Sequence, residues 1–183
     1  MAKRDIEEII ELPEDIKVEE NQGVYSVSGP KGQVKRAFRS PNIEIKLEKD
    51  KIILLAKNAS KKHKAILNTY RAHLKNIING VNQGYTYKLK ICSGHFPMNV
   101  SFSNNILSIK NFIGEKIPRT VEIDPRVDVK VQGDFITLEG LDKELVGQAA
   151  ADIEQLTRRP GYDKRIFQDG IFIIEKAGKK LVK

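Results

Sequence analysis

The feature that most constrains this chain is that it repeats itself. VEENQGVYSVSGPKGQVKRAF, from Val18, and VSFSNNILSIKNFIGEKIPRTV, from Val100, align at an offset of 82, pairing Val24 with Ile106, Val27 with Ile109 and Gly32 with Gly114. Each copy reads as an alternating run, a glycine-containing turn and a second run, the pattern of a hairpin. IEIKLEKDKIILLA, from Ile43, then matches VDVKVQGDFITLEG, from Val127. Ile43, Ile45 and Leu47 pair with Val127, Val129 and Val131, and a one-residue contraction pairs Ile53 and Leu55 with Ile136 and Leu138. This second hairpin is expected to turn at Glu48–Lys51 in one copy and at Gln132–Asp134 in the other.

A helical pattern follows in both copies. Ile66, Leu67, Tyr70, Leu74, Ile77, Ile78 and Val81 recur at 3.6-residue spacing, as do Leu141, Leu145, Val146, Ala149, Ile153 and Leu156. Asp142 stands where a cap belongs. A sheet with one apolar face needs cover, and one amphipathic helix per copy supplies it. The expected fold is α+β: two tandem repeats of a small antiparallel β-sheet packed against one α-helix. The repeats are placed at 10–81 and 82–175, with a frayed basic tail at 176–183.

Charge narrows the function. The 183 residues carry a net +8, yet residues 1–20 hold Lys3, Arg4 and Lys17 against eight carboxylates. That leader is therefore −5 and the rest of the chain +13. A strongly basic body points to a polyanionic partner, most simply nucleic acid. The leader carboxylates Glu7, Glu8, Glu11, Glu14 and Asp15 read as solvent-facing. With Cys92 as the sole cysteine, no intramolecular disulfide can form, which fits a reducing compartment. The sequence contains no signal-like or membrane-spanning apolar run. A cytoplasmic protein without membrane contact is expected.

Catalytic and metal chemistry find little support. Cys92 and His95 form C-x-x-H, but the other histidines, His63 and His73, lie in the helical stretch and a zinc site wants four ligands. The plainer reading is a buried cysteine ending a strand, followed by an exposed histidine. Gly29-Pro30-Lys31-Gly32 resembles a phosphate loop only superficially, because strand-like runs flank it. His63 and His73, among Lys61, Lys62, Lys64, Arg71 and Lys75, fit either a solvated helix face or a phosphate-contacting one. No catalytic residue, metal or cofactor is expected.

The segment after the second helix is different. From Gln155 onward, Arg158, Arg159, Lys164, Arg165, Lys176, Lys179, Lys180 and Lys183 meet only Asp163, Asp169 and Glu175. Bases neutralise phosphates and release counterions. Gly161 and Gly170 admit close backbone approach, and Tyr162 and Phe167 can stack on unpaired bases. Phe167 also fits a place in the core. The helix must stop before Arg159-Pro160.

Several stretches together resemble the large-subunit ribosomal protein six family. They are VSGPKGQVKRAF at 27–38, NGVNQGYTYKLKI at 79–91 and GLDKELVGQAAADIEQLTRRPGYDKR at 140–165. RIFQDGIFI at 165–173 resembles its archaeal and eukaryotic branch rather than the bacterial one, which typically carries a KGKGI-type run. The resemblance spans roughly residues 5–175. It implies a duplicated α+β fold without catalytic activity or cofactor. It also implies binding to large-subunit rRNA, chiefly through the second domain, near the base of the sarcin–ricin loop and the factor-binding region. The RNA contacts it implies fall on Arg158, Arg159, Tyr162, Lys164 and Arg165, then on Lys176, Lys179 and Lys180, and more weakly on Lys31 and Lys61–Lys64. Partners would be rRNA, neighbouring ribosomal proteins and translation factors nearby, with no homo-oligomer. The alternative is a non-catalytic protein-interaction scaffold, docking through the acidic leader or the first domain.

Overall fold

The computed structural model describes residues 4–48, 50–163 and 165–181. The chain divides into two compact units, Met1–Gly84 and Tyr85–Lys183. In the first, β1 (Arg4–Glu11), β2 (Lys17–Asn21), β3 (Val24–Gly29), β4 (Gly32–Ala37), β5 (Glu44–Leu47) and β6 (Lys51–Ala59) precede α1 (Lys61–Gln83). In the second, β7 (Tyr85–Cys92), β8 (Asn99–Ser103), β9 (Ile106–Lys110), β10 (Arg119–Glu122), β11 (Asp128–Gln132) and β12 (Phe135–Gly140) precede α2 (Lys143–Leu156). Two further strands follow, β13 (Gly170–Lys176) and β14 (Lys179–Lys180). Each unit holds two antiparallel sheets: β2-β3-β4 with β1-β6-β5, and β8-β9-β10 with β11-β12-β7-β13-β14. Both units are thus α+β, with one α-helix apiece.

Turn chemistry splits what reads as one alternating run into two strands. Gln22 and Gly23 have φ of 51° and 78°, and Asn104 and Asn105 have 51° and 61°. Positive φ at both central residues is what a type I′ hairpin turn needs. The expected single hairpin is therefore a three-stranded meander in both units. The Gly29–Gly32 segment is a hairpin turn resting on α1: a Cβ on Gly29 would sit 2.8 Å from Val81 Cγ2, and the Lys31 amide donates to the Val81 carbonyl at 3.0 Å. Only glycine fits so close an approach.

Both helices are capped by side chains. Ser60 accepts from the His63 amide, and His63 returns a bond to the Ser60 amide. Asp142 accepts from the Glu144 amide at 2.9 Å, as a cap should. α1 buries Leu67, Leu74, Ile78 and Val81 with Ile10, Val27, Ile52 and Leu54. α2 buries Val146, Ala150 and Ile153 with Leu89, Leu107, Ile136, Leu138 and Ile171. No helix among the described residues is long and apolar enough to cross a membrane.

The buried faces correct one alignment. Ile52 and Leu54 face α1 at 0% exposure, as Ile136 and Leu138 face α2. The structural offset therefore stays at 84 from Ile43 through Leu54, with no contraction, and Ile53 and Leu55 lie on the opposite face of β6. A strand alternates faces at every residue, so a one-residue slip in alignment exchanges core for surface.

Three strands lie where none was expected: β1, β13 and β14. β1 runs through the acidic leader, with Ile10 opposite Ile52 in the register and carboxylates on most remaining positions. Glu7, Glu11, Glu14 and Asp15 are exposed, while Glu8 is half-buried and pairs with Arg71 at 3.2 Å. The expected tail at 176–183 is also partly ordered. Lys176 closes β13, and Lys179–Lys180 return as β14 against it, because Ala177 and Gly178 turn tightly at positive φ. Val182 and Lys183 lie outside the described residues.

Candidate nucleic-acid interface

Residues 157–169 connect α2 to β13 and carry most of the candidate contacts. Thr157, buried, closes α2 and accepts the Ile171 amide of β13 on its hydroxyl at 3.0 Å. Glu154 accepts the Ile173 amide at 3.3 Å. These side chains tie the helix end to the strand edge, which fixes one foot of the loop.

Asp169 fixes the other foot. It is buried, and its Oδ1 accepts the amides of Gly94 and His95 at 2.8 and 2.9 Å. Its Oδ2 lies 2.6 Å from His95 Nδ1. Burial alone would raise its pKa, but the bonds from His95 and Gly94 outweigh this and hold the carboxyl below the usual range. His95 stacks on Phe167 at 4.9 Å and 29°. His95 is exposed, as expected, and it also pins the β7–β8 connection to this loop. Cys92, half-buried at the end of β7, lines the same hollow. No group of His, Cys, Asp and Glu among the described residues is arranged to hold a metal ion.

Between the feet the chain turns at Gly161, φ +85°, and leaves Arg158, Tyr162, Asp163 and Arg165 exposed. Arg158 is exposed and makes no ion pair among the described residues. The Arg159 guanidinium lies over the Tyr162 ring at 4.3 Å and 3.7 Å from Glu115. Tyr162 meets Phe167 edge-on at 4.9 Å. Arg159, Tyr162, Phe167 and His95 thus form one continuous chain of ring contacts. Glu115 also takes two 2.7 Å bonds from Arg119, which hold its carboxyl below the usual range. Arg119 in turn donates to the Leu156 carbonyl at 2.6 Å and closes the end of α2.

Arg165 is turned back on Asp163 through Nε and Nη2, and this pairing lowers the Asp163 pKa. A phosphate would have to displace that carboxylate. Lys164 lies outside the described residues. A cavity of about 680 Å³ opens beside the loop, lined by Arg158, Arg159, Tyr162, Phe167 and Phe172 among others.

The structure does not bring all the candidates together. Lys176, Lys179 and Lys180 are exposed at the far end of β13, about 20 Å along the strand from Gly170. They form a separate basic hairpin. Lys31 sits at the Gly29–Gly32 turn and Lys61–Lys64 at the start of α1, both in the first unit. Sequence reasoning missed Thr157, Glu154, Arg119 and the Asp169–His95 pin. The two partners of that pin lie 74 residues apart, so no local pattern joins them.

Comparison with known proteins agrees with this architecture. The family described as Ribosomal protein L6 matches twice, over residues 12–84 and 96–170. The large ribosomal subunit protein uL6 of Methanococcus vannielii is 47% identical over 176 residues, covering 96% of this chain and 97% of that protein. The protein of the same name from Methanosarcina mazei is 44% identical over 174 residues, covering 95% and 99%. With both repeats matched and relatives aligned over nearly their whole lengths, the chain belongs to the ribosomal protein L6 family of the large ribosomal subunit.

Proposed function

We propose that the chain is a structural, non-catalytic constituent of the large subunit that grips large-subunit rRNA through residues 157–169, near the sarcin–ricin loop and the factor-binding region. The carrying observation is the loop's construction. It is anchored at Thr157 and Asp169, leaves Arg158 exposed, and sets Arg159 over the Tyr162 ring, which in turn meets Phe167 edge-on. Such a preformed surface suits folded RNA, which is recognised through phosphates, shape and splayed bases. Lys164 and Arg165 extend the contact, and Lys176, Lys179 and Lys180 offer a second, separate one. The setting is cytoplasmic, with neighbouring ribosomal proteins in contact and translation factors close by.

Sedimentation of a cell lysate tests this reading. The protein is expected to travel with the large subunit and to stay through a moderate salt wash. Replacing Arg158, Arg159, Lys164 and Arg165 together by glutamine should release it. Substitution is preferable to deleting 158–183, because deletion also removes β13 from the sheet. Retention of the quadruple variant at unchanged salt would move the grip elsewhere.

A further inference from the structure

The second unit's five-stranded sheet covers α2 with one face and leaves the other open. On the open face the register aligns Phe135 of β12, Lys90 of β7 and Phe172 of β13 in a single row across three neighbouring strands. Phe135 is 45% exposed and Phe172 43%, and Lys90 is exposed with no ion pair among the described residues. Its neighbours on that face are already neutralised: Lys88 by Glu175, and Lys130 by Asp128 and Glu139. The Phe172 ring lies over the bare Cα of Gly170, where a Cβ would come within 3.1 Å of it. Phe172 also lines the cavity shared with Arg158, Arg159 and Tyr162, so the row continues the loop surface.

The duplicated unit shares two positions of this row, since β13 has no counterpart there, and has no aromatic at either. At the matching positions of the first unit, Lys51 stands opposite Glu11 and pairs with Glu48 at 3.2 Å. Folding is satisfied there by an ordinary charged surface. Phe135 and Phe172 each leave nearly half of their surface in water, and exposed apolar patches of this kind mark interaction sites. Aromatic rings on an open sheet face stack on unpaired bases, and a cation between them meets the linking phosphate. Adjacent strands are about 4.8 Å apart, so the two rings stand about 10 Å apart with the lysine between.

We infer that the Phe135–Lys90–Phe172 row is a stacking platform for two unpaired bases of RNA, continuing the contact made by residues 157–169. It rests on the RNA-binding reading above but uses different residues. Its test uses the full chain and deproteinised large-subunit rRNA, with affinity measured across a salt series. Phe135→Ala should weaken binding about tenfold and leave the salt slope unchanged. Phe135→Tyr should bind like the parent and Phe135→Leu like the alanine variant. Lys90→Gln should lower the slope by about one. A 2-aminopurine base in a short oligoadenylate should change its fluorescence on binding the parent but not Phe135→Ala. If Phe135→Ala and Phe172→Ala both bind like the parent while Arg158→Ala with Arg159→Ala loses affinity, the platform is refuted and the loop reading stands. If instead the phenylalanine variants weaken and the arginine pair does not, the platform stands and the loop reading falls. Parental binding by Phe135→Leu would mark the row as a surface for an apolar protein partner and overturn the inference.

Discussion

The two units share a frame but carry their charge in different places. α1 has Lys61, Lys62, Lys64, Arg71 and Lys75 and no carboxylate, whereas α2 has Lys143 against Glu144, Asp152 and Glu154. In the first unit, then, basicity lies on the helix. In the second it lies on the loop after the helix, where Arg158 and Arg159 lead. The strands explain how such a loop can be held. Beyond α1 the chain passes through Gly84 into β7, and β1 remains the edge of its sheet. Beyond α2 the chain returns as β13 and pairs with β7, closing an edge whose counterpart stays open in the first unit. An unpaired strand edge is a liability that charge can blunt, and the carboxylates along β1 serve that purpose. Duplication kept the apolar ladder and left edges and surfaces to diverge.

The largest expected effects test the shared frame. Leu54→Ala and Leu138→Ala remove equivalent, fully buried side chains, and each should cost about 2–5 kcal/mol in denaturant unfolding. Leu55→Ala should cost clearly less, since Leu55 is only half-buried. Equal losses at 54 and 55 would break the register correspondence. Next comes Gly29→Ala, which drives a methyl into Val81 and should cost about 1–3 kcal/mol in the first unit alone.

Asp169→Asn probes what is peculiar to the second unit. Removing the buried carboxylate that holds Gly94 and His95 should cost about 1–3 kcal/mol near neutral pH. The sign follows from the lowered carboxyl pKa. Its stabilisation is complete above the ordinary aspartate value of about 4 and is lost as pH falls through the lower folded value. The difference between parent and variant should therefore shrink in acid; a constant difference would discount the ionic part. Asp163→Asn is the gentlest probe. It should leave the unfolding midpoint in place, because the Asp163–Arg165 pair is exposed. It should also strengthen rRNA binding a few-fold by freeing Arg165, and weaker binding would show that the pair positions the loop.

Much of this was legible because the apolar pattern repeats. The α+β class, both helices, the Asp142 cap and the turn between β11 and β12 follow from spacing and turn residues alone. β1 was hidden because charge occupies most of its positions, leaving Ile6 and Ile10 to mark the inner face. The three-stranded meanders were hidden because Gln22-Gly23 and Asn104-Asn105 interrupt alternation for only two residues. The candidate interface was half legible. Arg158, Arg159 and Tyr162 announced themselves by composition, but the groups that hold them in place did not. Thr157 answers to Ile171 and Asp169 to His95, and those pairings exist only once β13 lies beside β7. The partial order of 176–181 escaped notice because its lysines look like a tail until Ala177-Gly178 reverses the chain.

That same strand pairing sets an order in time. β7 precedes α2 in the chain and β13 follows it, so Cys92 must wait for Gly170 before their register can close. During synthesis, which proceeds from the amino end and lets early segments fold first, β11, β12, β7 and α2 can assemble while Arg158 and Arg159 still dangle. The loop acquires its shape only when residues 169–173 have emerged and docked. A nascent chain therefore exposes its positive charges before it can hold them in a binding geometry, and completion of one late strand converts a loose polycation into a selective surface.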